Sequence, residues 1–124
     1  MFSKFIIIKF LGDRFQLTRF SDYMTYVKVA KTVDIPQGTM KHFEIEGNEY
    51  LIANIDGVFY SVDNRCTHFG SQLSNGTLIG RVVICPKHHA SFDVITGKSM
   101  TIHTPDIPVH RVETIGDDLL VDIF

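Results

Sequence analysis

The chain has 124 residues, a formal charge of −2 and 44% hydrophobic residues, enough for one compact domain but not two. Acidic and basic residues are interspersed, so no basic run marks a nucleic-acid or anionic-membrane surface. Two cysteines are too few for the disulfide framework of a small secreted domain, and six histidines are many for this length.

The apolar stretch Phe5-Ile6-Ile7-Ile8 is broken by Lys9 and ended by Gly12-Asp13-Arg14. It falls far short of the ~20 residues that span a bilayer, and no small-residue cleavage site follows it. Residues 1–23 are expected to be an extension peripheral to function, with Met24 a natural start for the domain. An extra edge strand is the alternative, since Phe, Ile and Thr are frequent there.

Residues 24–124 are expected to form the functional domain. From residue 26 onward, short β-branched and aromatic runs alternate with turn signals, which predicts an all-β scaffold. Strands are expected over 26–30, 41–46, 49–55, 58–62, 81–84, 91–94, 98–101, 109–115 and 119–124. Gly47-Asn48 and Asp56-Gly57 read as two-residue hairpin turns. Ile95-Thr96-Gly97 and Gly116-Asp117-Asp118 separate two further strand pairs. No 3.6-residue period is sustained, so helix is limited to a turn around residues 72–73.

Two loops on this scaffold carry the chemistry. Cys66-Thr67-His68 reads C-x-H; after 16 intervening residues, Cys85-Pro86-Lys87-His88 reads C-x-x-H. Each loop supplies one thiolate and one imidazole, together a four-ligand metal site. A [2Fe–2S] cluster with two cysteines on one iron and two histidines on the other uses such a set. Cys₂His₂ is also a zinc set, although the 16-residue gap and the close C-x-H pair lie outside finger spacing. A Cys66–Cys85 disulfide would leave His68 and His88 without a role. The C-x-x-H spacing selects His88 over the adjacent His89, and His42, His103 and His110 belong to no motif. Gly70, Gly76 and Gly80 are expected to allow positive φ around the loops.

The stretch from Cys66 to Gly76, and the stretch from Cys85 to Asp93 followed by Thr96-Gly97, resemble the two cluster loops of Rieske-type ferredoxins, the ferredoxin components of aromatic-ring dioxygenase systems. Pro105-Asp106-Ile107-Pro108-Val109 looks like the proline loop of that family, and Gly116 to Val121 like its closing hairpin. The resemblance runs from about Met24 to Ile123. It implies antiparallel sheets with a cluster-binding subdomain formed by two loops and a proline loop. It implies one [2Fe–2S] cluster held by Cys66, His68, Cys85 and His88. Phe69 and Ile107 would form an apolar collar, and His89 stands where the family often has glycine.

The function implied is that of a soluble, cytoplasmic, monomeric one-electron carrier and not an enzyme. Its partners would be a reductase as donor and an oxygenase or other redox enzyme as acceptor, with no nucleic acid and no membrane. A small Rieske-fold subunit of a multi-component oxidoreductase, such as a nitrite reductase, is the alternative. High-potential members, those of cytochrome bc complexes, add a disulfide and two hydroxyls around the cluster. Ser71, Lys87, Ala90 and Phe92 stand at the matching positions here. The resemblance therefore implies a low potential, near the bottom of the Rieske range at about −150 mV.

Overall fold

The computed structural model describes residues 7–10, 15–17, 25–68, 70–87 and 89–123. The chain divides into two compact units, residues 1–34 with 110–124 and residues 35–109. Among the described residues, no helix is long and apolar enough to cross a membrane.

The first unit is built on a five-stranded sheet. Its strands are β1 (Ile7–Phe10), β2 (Phe15–Leu17), β3 (Thr25–Lys31), β11 (Val112–Ile115) and β12 (Asp118–Asp122), in the order β11-β12-β3-β1-β2. β1 runs parallel to β3, whereas β1–β2, β3–β12 and β11–β12 are antiparallel. Residues 7–10 and 15–17 thus form strands within the segment expected to be peripheral. Tyr26, Val27, Leu119, Leu120 and Val121 are buried. The strand expected over 109–115 is broken at Arg111, whose carbonyl accepts the Asp122 amide at 3.0 Å.

The second unit contains two further sheets. One has the order β10-β6-β5-β4, from β4 (Met40–Ile45), β5 (Asn48–Ile55), β6 (Val58–Asp63) and the two-residue β10 (Val109–His110), which begins on this unit's last residue. The other has the order β7-β8-β9, from β7 (Thr77–Ile79), β8 (Val82–Ile84) and β9 (Ser91–Asp93). The strand β7 was not expected. β5 is buried on both faces: Leu51 and Ala53 enter the core cluster, and Ile52 lies on the opposite face. Val62, Leu73, Val83, Phe92, Val94 and Ile107 complete that cluster with Cys66, Cys85 and Ala90.

Two local expectations need correction. The β4–β5 turn is Glu46–Gly47, not Gly47–Asn48, because Asn48 already pairs with Ile45. Both turn residues have positive φ, 51° and 85°, and glycine takes the second place as it does in Asp56–Gly57. The strand expected over 98–101 is reduced to one bridge, Phe92 to Ser99. Hydroxyls there take over the backbone partners a ladder would need: the Thr101 hydroxyl accepts the Ser91 amide at 2.9 Å, and the Ser99 hydroxyl donates to the Thr101 carbonyl at 3.1 Å.

Candidate metal centre

The two cysteine–histidine loops are built alike. In the first, the Cys66 amide donates to the Ser71 carbonyl at 2.8 Å, five residues on; in the second, the Cys85 amide donates to the Ala90 carbonyl at 2.7 Å, again five residues on. The fifth residue of each loop is left-handed: Gly70 has φ 79° and His89 has φ 61°. Glycine takes that conformation without a steric cost, whereas histidine does not. The His89 side chain is exposed.

The sulfurs and the rings are placed differently. Cys66 and Cys85 are each 2% exposed, both belong to the core cluster, and neither is in a disulfide. His68 is exposed in the same loop as buried Cys66. The His68 amide points at the Cys66 sulfur at 3.4 Å, so the chain turns back over the thiol. His88 and Phe69 lie outside the described residues. Among those residues no three His, Cys, Asp or Glu side chains form a metal-binding group.

The proline segment is fastened to both loops' surroundings. The Thr67 hydroxyl, between Cys66 and His68, donates to the Pro105 carbonyl at 2.8 Å. The Ile107 amide donates to the Gly97 carbonyl at 2.8 Å, and the Asp106 carboxylate accepts the Ser99 amide at 2.8 Å. Ile107 is buried in the same cluster as the two cysteines. His103 is exposed with φ 62°, and His42 is exposed on β4.

The second loop stands on a hairpin whose end is held by Asp93. Burial opposes ionisation of its carboxyl. The Arg81 guanidinium at 2.9 Å and the Ile95 and Thr96 amides overcome that, holding it below the usual carboxylate range. Of the three glycines expected to need positive φ, Gly70 and Gly80 have it and Gly76 does not. Gly76 serves a close approach instead: a Cβ there would run into the Ile84 carbonyl, just before Cys85.

These features fit an iron–sulfur cluster. Buried thiols outside a disulfide offer soft ligands in a low-dielectric setting, and amides aimed at sulfur tune such centres. Buried Ala90 and Phe92, with no hydroxyl to donate, line the same core. The residues sequence reasoning did not single out are Arg65, Glu49 and Asn64. They surround the first loop, and only their juxtaposition in the fold reveals them.

Residues 25–115 match the family model for the Rieske [2Fe-2S] domain. The chain is 37% identical, over 71% of its length and 86% of the relative's, to the ferredoxin component of the naphthalene 1,2-dioxygenase/salicylate 5-hydroxylase systems of a Ralstonia species. It is 31% identical, over 79% of its length and 95% of the relative's, to the ferredoxin component of the naphthalene 1,2-dioxygenase system of Pseudomonas aeruginosa. The solved ferredoxin of carbazole 1,9a-dioxygenase from Nocardioides aromaticivorans IC177 superposes with a TM-score of 0.75 at 26% identity, covering 79% of this chain and 97% of that one. With its sheets, its paired loops and its two buried thiols, the chain belongs to the family of Rieske [2Fe-2S] domains, and its cofactor is one [2Fe–2S] cluster.

Proposed function

We propose that this chain is a one-electron carrier that takes electrons from a reductase and passes them to an oxygenase. Cys66 and Cys85 would ligate one iron, and His68 and His88 the other. The cluster, when bound, supplies a single electron-accepting site. The observation that carries the reading is the contrast within the first loop: a thiol 2% exposed beside an exposed His68. That contrast keeps the sulfur dry and turns His68 to the surface, where an electron has a short exit.

The names of the relatives support the partner class, since they are ferredoxin components of dioxygenase systems. A solved complex of oxygenase and ferredoxin from carbazole 1,9a-dioxygenase, 29% identical with a TM-score of 0.74, supports direct docking between two such components. The functional domain would be residues 24–124 and residues 1–23 an extension; the family match over 25–115 supports that division. The carrier would work as a cytoplasmic monomer, where cysteines outside disulfides are the rule.

Its potential would be low. Ala90 and Phe92 offer no hydroxyl to the cluster surroundings, and Ser71 and Lys87 cannot form a disulfide. Hydrogen bonds to sulfur help set the potential, and each one lost leaves the reduced, more negative state less stabilised. The experiment is reconstitution followed by metal analysis and a potentiometric titration. Iron and acid-labile sulfide in equal amounts, with a midpoint near about −150 mV, are expected. Zinc alone, or a midpoint well above zero, would refute the reading.

A further inference from the structure

The first ligand loop is braced by a charged pair, and among the described residues no ion pair reaches residues 85–90 of the second. Glu49, on β5, uses both carboxylate oxygens: one accepts Asn64 Nδ2 at 3.3 Å and the other accepts Arg65 Nη2 at 2.9 Å. The other guanidinium nitrogen, Arg65 Nη1, donates to the Gly70 carbonyl at 3.1 Å. One side chain therefore joins the sheet to the fifth residue of the loop. Asn64 is 0% exposed and ties the same strand to the chain leaving the loop. Its amide donates to the Glu49 carbonyl at 3.1 Å, its carbonyl accepts the Leu73 amide at 2.7 Å, and its Oδ1 accepts the Ser74 amide at 2.9 Å.

The second loop holds the equivalent carbonyl differently. There the carbonyl equivalent to Gly70's is that of His89, and it accepts the Ser91 hydroxyl at 3.3 Å. A neutral hydroxyl at that distance is the weaker hold, because hydrogen bonds from a charged donor are shorter and stronger.

We propose that Glu49, Asn64 and Arg65 are positioning residues that hold the first loop, and with it Cys66 and His68, in the geometry the cluster requires. The proposal rests on the ligand assignment given above. Arg65 has a side chain 61% exposed, so its ion pair adds little to global stability. Its effect falls on the loop. A lysine at 65 has no fork with which to reach the carboxylate and the carbonyl together.

The test uses holo-protein with R65M and R65K, and K28M as a control that breaks an ion pair, Lys28 to Asp118 at 3.3 Å, in the sheet of the first unit. Iron release to a chelator, the midpoint potential and hydrogen exchange at the Cys66 and Gly70 amides are read together. R65M is expected to release iron about three- to tenfold faster, the size of one hydrogen bond from a charged donor discounted for exposure. Its midpoint falls as the amides aimed at sulfur slacken, and its loop amides exchange faster. R65K recovers part of each loss, and K28M leaves iron release and midpoint at the unmodified values. R65M indistinguishable from the unmodified protein, or K28M shifting both readouts equally, overturns the brace. A wild-type protein without an iron–sulfur cluster would defeat the functional reading instead, and amide exchange at Cys66 and Gly70 would still decide the brace.

Discussion

Replacing His89 by glycine should stabilise the protein. His89 has φ 61°, the fifth-residue position that Gly70 fills in the other loop. A left-handed L-residue costs ~1–2 kcal/mol. Glycine removes that cost but frees the unfolded chain, which offsets ~0.4–1 kcal/mol. The exposed imidazole gives up no packing, and the His89 carbonyl keeps its bond from Ser91. The balance is a gain of about 0.5–1 kcal/mol, or a rise of roughly 2–4 °C in melting temperature for a chain of this size. H89V removes the same imidazole but puts a β-branched residue where such residues are true outliers, so its melting temperature should fall. Thermal melts of the three holo-proteins decide it. A valine variant as stable as wild type, with no gain from glycine, would show that the backbone at 89 is not left-handed.

Other expectations follow from single contacts. G76A drives a methyl toward the Ile84 carbonyl at the entry to the second loop, and denaturant unfolding should show a loss of ~1–3 kcal/mol. T67V removes the hydroxyl that holds Pro105, a loss of about 1 kcal/mol, and the Ile107 amide should then exchange faster with solvent. Asp93 has a folded value below its unfolded one, so its contribution is complete above the ordinary carboxylate range and lost as pH falls through the folded value. D93N should therefore be less stable at neutral pH and flatter in an acid titration followed by circular dichroism; parallel curves for the two proteins would contradict the Asp93 assignment.

What the sequence disclosed follows how local each feature is. The Asp56–Gly57 hairpin was legible because its turn chemistry sits in two adjacent residues. The β4–β5 turn was misplaced by one residue, since glycine takes the second turn position and leaves Asn48 to the strand. The 98–101 segment has strand-like composition, yet Ser99 and Thr101 hydroxyls compete for its backbone. The cysteine–histidine spacing marked both loops. The brace on the first loop was invisible, because Glu49 and Arg65 lie 16 residues apart and meet only through the sheet. Gly76 was misjudged for the same reason: its constraint comes from the Ile84 carbonyl across the fold and not from its own φ.

Two cysteines and two histidines of these loops would together hold one cluster. Pulsed electron paramagnetic resonance on the reduced protein, with its histidines labelled with nitrogen-15, tests that most directly. Couplings from two histidine ring nitrogens are expected, one lost in H68A and the other in H88A. A reduced cluster with no histidine nitrogen coupled to it, or couplings unchanged in both variants, would contradict that ligand set.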